Sequence, residues 1–135
     1  EIPMHFGLQR KLGQHDKDVR VVVHIHPTYI IAAMYAGWDL QVLAQEFPEI
    51  NRYTRVGPTV PIIQPVSKEL GFAAVKALNL DETCGSIDFD IIGLDRHGII
   101  AVGKDAWSAF EHVERLEHIC KIALASGNKI TPKGI

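Results

Sequence analysis

Cysteine is scarce in this sequence: Cys84, in a turn-like Thr-Cys-Gly-Ser, and Cys120, within a helical pattern, are the two in 135 residues. Two thiols make no disulfide framework, so a reducing compartment, the cytoplasm, is the expected setting. Charge of one sign is missing as well. The net charge is −2 with acids and bases interspersed, and without a basic stripe to neutralise phosphates no nucleic-acid partner is expected. No apolar run approaches the roughly 20 residues that cross a bilayer, and no signal peptide is legible, so no membrane role is expected. The Gly-x-Ser-x-Gly elbow, the Walker A loop and the Gly-x-Gly-x-x-Gly turn are absent, which removes the commonest hydrolase and nucleotide-binding readings.

What is present suits one ordinary globular domain. Apolar residues make up 47% and charged residues 22%, outside the disordered range, and a chain of this length buries one core. Pro3 to Leu12, with Met4, Phe6, Leu8 and Leu12 as its apolar set, predicts a short helix that Pro3 starts. A polar connector, Gly13 to Asp18, follows. Val19 to His26, valine-rich and closed by Pro27, predicts a strand covered on both faces. Thr28 to Ala36 reads as a helix ended by Gly37, while Leu40 to Val56 fits no single pattern. A short strand, Val60 to Gln64, then lies between prolines, and Ser67 is placed to cap a helix running to about Leu78. A hairpin follows, with strands Asp88 to Leu94 and Ile99 to Val102 around the corner Asp95-Arg96-His97-Gly98. Asp105 caps a last helix to about Ala125, with a core stripe of Ala106, Ala109, Phe110, Val113, Leu116, Cys120 and Leu124. Interleaved strands and helices place the chain in the α/β or α+β class.

The stretch Val21-Val22-Val23-His24-Ile25-His26-Pro27 carries the chemistry. Alternate residues of a strand point the same way, about 7 Å apart at roughly 3.3 Å rise per residue, so His24 and His26 can converge on one ion. Zinc takes imidazole nitrogen at about 2.0–2.1 Å, and a catalytic zinc keeps three protein ligands and one open position. Both histidines sit at the carboxyl end of the strand, where open α/β sheets place their ligand crevices. Two solvated histidines, or two bonded to backbone carbonyls, remain the plainer alternative. For a third ligand His97 is best placed, because Gly98 lets the backbone approach closely at the corner. His118 projects away from the core stripe and His112 lies at its border, which makes both surface or supporting residues. His15 falls in the polar connector, where solvation is expected, and His5 lies within a turn of Glu1, near the site. Among carboxylates Glu1 and Glu49 stand out by position. Glu111, Glu114 and Glu117 read as helix-surface charge with Arg115 and Lys121, and Asp95 shapes a turn.

Four motifs taken in order resemble the class II sugar-phosphate aldolase and adducin head family. They are Glu1-Ile2-Pro3-Met4-His5; Val21 to Pro27; Pro65-Val66-Ser67-Lys68-Glu69-Leu70; and Arg96-His97-Gly98 followed by Val102-Gly103-Lys104-Asp105 and the long helix. Order and spacing match along essentially the whole chain. The resemblance implies a three-layer α/β/α fold with a central, mostly antiparallel or mixed sheet, residues 1–135 forming one domain that is incomplete at its amino terminus. The family's preceding segment, with Gly-Asn and Ser-Gly motifs that bind the substrate phosphate, is absent, and Val66 stands where a glycine is usual.

The resemblance further implies one zinc per subunit on His24, His26 and His97, with Glu1 as the acid/base. A second glutamate, supplied by a neighbouring subunit in part of the family, matches Glu49 through a loop of different length. The implied function is reversible aldol cleavage of a ketose 1-phosphate, rhamnulose or fuculose phosphate, to dihydroxyacetone phosphate and an aldehyde such as lactaldehyde. A zinc on three neutral imidazoles keeps its full charge for the negative charge that forms as the C3–C4 bond breaks. A homotetramer acting on a small sugar phosphate is the implied assembly. The same scaffold hosts a ribulose-phosphate 4-epimerase, a methylthioribulose-phosphate dehydratase and the adducin heads, which are interaction modules without the zinc ligands. Retention of His24, His26, His97 and Glu1 argues against the last.

Overall fold

The computed structural model describes residues 1–15, 18–80 and 87–127; Cys84 lies outside them. In chain order the elements are α1 (Ile2–His15), β1 (Val21–Ile25), α2 (Thr28–Tyr35), α3 (Leu40–Gln45), α4 (Pro48–Tyr53), α5 (Lys68–Ala77), β2 (Ile91–Leu94), β3 (Gly98–Gly103) and α6 (Ala106–Ser126). Local chemistry accounts for most of their ends. Asp39 caps α3 by accepting from the Gln41 and Val42 amides, and Pro48 opens α4 at a position where its missing N–H costs nothing. Ser67 accepts from the Leu70 amide at the start of α5, and Asp105 from the Ser108 amide at the start of α6. Gly37, at φ +83°, ends α2 in the left-handed region that glycine enters without penalty.

The three strands form an antiparallel sheet in the order β1-β3-β2. Single parallel bridges, Val56 to Ile91 and Val60 to Leu94, extend its β2 edge. Alternation along the strands splits the core in two. Ile92, Leu94, Ile100 and Val102 face α1 and α5, burying Met4, Leu8, Leu12, Leu70, Ala74 and Leu78. Ile91, Ile99 and Ala101 face the other way, against Ile30, Leu43, Ile50, Val113, Leu116 and Cys120 of α2, α3, α4 and α6. Helices on both faces of an antiparallel sheet make the three-layer α/β/α arrangement implied above. No helix among the described residues is long and apolar enough to cross a membrane.

Several expectations shift. β1 is half-buried at every position, not covered on both faces, because among the described residues it pairs with β3 alone and lies at a sheet edge. The strand expected over Val60 to Gln64 shrinks to the single bridge at Val60; Pro61 and Pro65 have no N–H to offer a ladder. The strand expected from Asp88 begins at Ile91, since Asp90 turns its carboxylate to the backbone amide and guanidinium of Arg55. Leu40 to Val56, left open above, holds α3 and α4. On α6 the buried face carries Ile119 and Ala123 where Ala106 and Leu124 were expected, Ala106 being exposed in the first turn. Phe6 points outward from α1.

Candidate metal centre

Three chain segments meet at one end of the sheet. His24 is the fourth residue of β1, in register with Ile100, and its Nδ1 lies 2.8 Å from the Ile99 carbonyl oxygen. His26 follows one residue beyond the last paired position. His97 sits in the β2–β3 corner, where Arg96 adopts φ +56° and the His97 amide donates to Leu94 O at 2.9 Å. Gly98 permits the approach: a Cβ there would stand 2.5 Å from Ile25 O and 2.7 Å from the His26 ring. The corner therefore packs directly on the end of β1, and the three imidazoles face one another with ring centroids 4.9–5.1 Å apart. One ligand nitrogen from each of the three lies within 4.8 Å of the others.

Glu1 joins them from the start of α1. Its Oε2 lies 2.8 Å from His24 Nε2 and its Oε1 3.5 Å from His97 Nε2. The His5 ring is 6.5 Å from that of His24.

The donor set fits a zinc-sized cation. A carbonyl oxygen only accepts, so His24 Nδ1 carries the hydrogen and Nε2 presents its lone pair to the cluster. Nε2 therefore faces a carboxylate oxygen at 2.8 Å and another imidazole nitrogen, His26 Nε2, at 3.2 Å. The lone pair of His24 Nε2 and the Glu1 carboxylate oxygen both accept, and their meeting calls for a proton or a metal ion between them. Burial pushes the pKa of His24 down, an effect that outweighs the opposing Ile99 hydrogen bond and Glu1 charge and is reinforced by His97 and His26. The proton is thus disfavoured, and neutral imidazole is the form that binds metal. Zinc–nitrogen bonds of about 2.0–2.1 Å put neighbouring tetrahedral donors about 3.3 Å apart, close to the 3.2 Å between the two Nε2 atoms. His97 Nδ1 is buried without a hydrogen-bond partner among the described residues, so its ring is held by the corner and by Glu1 at Nε2.

The remaining candidates lie elsewhere. Glu49 is exposed in the first turn of α4, lining a surface pocket with Tyr53, Arg115 and His118, and the structure does not bring it to the three histidines. His118 is exposed as expected. His112 is half-buried, its Nδ1 2.8 Å from Thr54 Oγ1, and burial lowers its pKa. His15 is not simply a solvated connector residue: α1 runs on to include it, it is half-buried, and its Nε2 lies 2.7 Å from Leu80 O. Glu117 is not surface charge. Its two oxygens accept from the Tyr29 and Ile30 amides at the start of α2, at 3.0 and 2.9 Å. The one signal of this in the sequence is Pro27, which leaves α2 without a capping side chain of its own.

A family model described as the class II aldolase and adducin N-terminal domain matches residues 1–124. The chain is 28% identical over 135 residues to rhamnulose-1-phosphate aldolase of Bacteroides thetaiotaomicron, covering 95% of this chain and 47% of that protein. It is 27% identical over 122 residues to L-fuculose phosphate aldolase of Methanococcus maripaludis, covering 90% of this chain and 58% of the relative. The chain thus spans about half the length of these curated relatives. Among solved structures, a sugar-phosphate aldolase from Thermotoga maritima superposes with a TM-score of 0.76 at 25% identity, over 95% of this chain and 55% of its own.

Proposed function

This chain belongs to the class II aldolase and adducin N-terminal domain family, and from that premise we propose that it forms the zinc-binding part of a lyase that reversibly cleaves a ketose 1-phosphate. In this reading rhamnulose or fuculose phosphate yields dihydroxyacetone phosphate and an aldehyde such as lactaldehyde; the names of both curated relatives support that substrate class. His24, His26 and His97 hold one zinc per subunit. The observation that carries the proposal is the convergence of Glu1 on the same nitrogen, His24 Nε2, that the other two imidazoles surround.

Bound there, zinc would supply a Lewis acid that draws charge from the ketose oxygens as the carbon–carbon bond breaks. The chain's own groups do the rest. In cleavage the C4 hydroxyl loses a proton as the C3–C4 bond breaks, and C3 of the departing three-carbon fragment gains one, so a single carboxyl group can serve both transfers. Glu1 has the position for it: its side chain is 39% exposed, open to substrate, beside a His24 that is 5% exposed. The Ile99 carbonyl holds His24 in the tautomer that turns Nε2 inward. Glu49, which lies beside His118 and not with His24, His26 and His97 of its own chain, acts in this reading from a neighbouring subunit of a cytoplasmic homotetramer, which light scattering can test.

Metal analysis of the purified chain is expected to give one zinc per chain, lost in His24→Ala; wild-type zinc content in that variant would remove the site. Dihydroxyacetone phosphate release, coupled to a reporter enzyme, is to be followed with rhamnulose, fuculose and ribulose phosphates in parallel. Cleavage of either of the first two supports the lyase. Epimerised ribulose phosphate without any release transfers the assignment to the epimerase.

A further inference from the structure

We infer that Glu117 is a positioning residue for the metal centre: by capping α2 from α6 it fixes the His26-Pro27-Thr28 turn and, through it, the His26 ligand. The inference rests on the metal reading above and extends it to a residue outside the segments that carry His24, His26 and His97.

α2 begins immediately after His26-Pro27. Pro27 occupies its N-cap position, at φ −73° and ψ 134°, and offers no side-chain hydrogen bond. A helix leaves its first-turn amides without intrahelical partners, and a capping side chain ordinarily takes those of the second and third residues. Here those residues are Tyr29 and Ile30, and they are the two that donate to Glu117. The next amide, Ile31, already donates to Pro27 O at 3.1 Å. The Glu117 carboxylate therefore takes the place of the cap that proline cannot provide, and its negative charge lies at the positive end of the helix.

The three ligands are not held equally. His24 is locked within β1 by its pairing with β3 and by Ile99 O. His97 is set by the corner, through Leu94 O and the contact that Gly98 permits. His26 has the weakest hold of the three: its ring lies against Gly98, but it sits past the last ladder pair, is exposed, and its Nε2 meets His24 Nε2 with no backbone acceptor among the described residues fixing the other ring nitrogen. Proline biases His26 towards extended backbone, so the freedom that remains is the angle at which α2 leaves the turn. Glu117 sets that angle against α6, and two further contacts act at the same place. Ile30 shares a buried cluster with Leu116 and Cys120 on either side of Glu117, and Lys121 Nζ lies 5.4 Å from the Tyr29 ring centroid.

The test measures zinc affinity of the full chain by competition with a chromophoric chelator, beside thermal unfolding in EDTA. Glu117→Ala is expected to weaken zinc about tenfold, the lower end of the effect of groups that orient a ligand from outside. Glu117→Gln, which keeps one accepting oxygen, should fall between. Ser67→Ala, which removes the cap of α5 and touches no histidine, should lower thermal stability while leaving zinc affinity unchanged; a helix cap with a purely structural role behaves that way. If Glu117→Ala binds zinc as wild type does while His24→Ala has lost it, the inference is overturned and the metal site stands. If His24→Ala also keeps its zinc, the metal reading and the inference fall together. Should Glu117→Ala fail to fold by circular dichroism, Glu117→Gln decides alone: weakened zinc supports the inference and wild-type affinity overturns it.

Discussion

α5 and α2, on opposite faces of the sheet, meet the same requirement at their amino termini in opposite ways. Ser67 caps α5 from the adjacent position, donating to Gln64 O at 2.7 Å and accepting from the Leu70 amide at 3.1 Å. α2 is capped from α6, by a carboxylate 87 and 88 residues away from the amides it accepts. A local cap stabilises its own helix and transmits nothing. A distant cap ties two elements together, and here the tie, at Tyr29 and Ile30, lies within one helical turn of the candidate ligand His26. On its own face of the sheet α2 is set apart by this, since α3 and α6 there keep local caps in Asp39 and Asp105.

The largest expected effect breaks this contrast directly. Removing Ser67 by alanine takes away one neutral cap, which costs about 1 kcal/mol. Removing Glu117 leaves two amides at a half-buried helix end without a charged acceptor and should cost about 2 kcal/mol. Urea unfolding in EDTA, followed by circular dichroism, measures both. Equal losses would mean that the distant cap adds nothing beyond an ordinary one.

The same contrast explains which features could be read in the sequence. Ser67, Asp105, Gly37 and the hairpin corner are local patterns, and each occurs where its residues predict it. The His-x-His strand was legible as a strand and as a pair of converging side chains, because the two-residue period alone places His24 and His26 together. His97 stood out as a third ligand through the Gly98 corner, while the role of Glu1 beside the three came from resemblance, since no local rule brings residues 1, 24 and 97 to one place. Proline decided two local failures, reducing Val60 to Gln64 to one bridge and dividing Leu40 to Val56 into α3 and α4. Glu117 looked like surface charge because its partners are visible only once α2 lies against α6. His15 was misplaced for a similar reason: its acceptor, Leu80 O, belongs to another part of the chain.

Cys120 sharpens the contrast next. Its thiol is buried on α6 beside Glu117, and burial, aided by the Glu117 charge, pushes its pKa up to about 12. Native protein at pH 8 should therefore resist alkylation, so that labelling reports opening of the α2/α6 face. In a Cys84→Ser background, Glu117→Ala should raise the labelling rate by more than about tenfold, as 1.4 kcal/mol is tenfold in an opening equilibrium. Ser67→Ala should raise it less than Glu117→Ala does. A reversed order would place the weak point of the fold on the α5 side.

The smallest expected effect is a slope. His112, on α6 against Thr54, has its pKa lowered from 6.5 by burial, which outweighs the opposing Asp90 charge. Well above pH 6.5 the imidazole is neutral in both folded and unfolded chains and contributes no pH dependence. As the pH falls below that value the unfolded chain takes up the proton first, so stability declines until the pH passes the lower folded value, where the loss levels off. His112→Gln should make the fall in stability between pH 7 and pH 5 shallower. In EDTA, His24, lowered in the same direction, should leave a residual slope of the same sign, and Ser67→Ala should shift the whole profile without tilting it. A profile that tilts in Ser67→Ala and keeps its full slope in His112→Gln would put the acid sensitivity on the α5 face, at the helix with the local cap and not at the α6 that caps α2 from a distance.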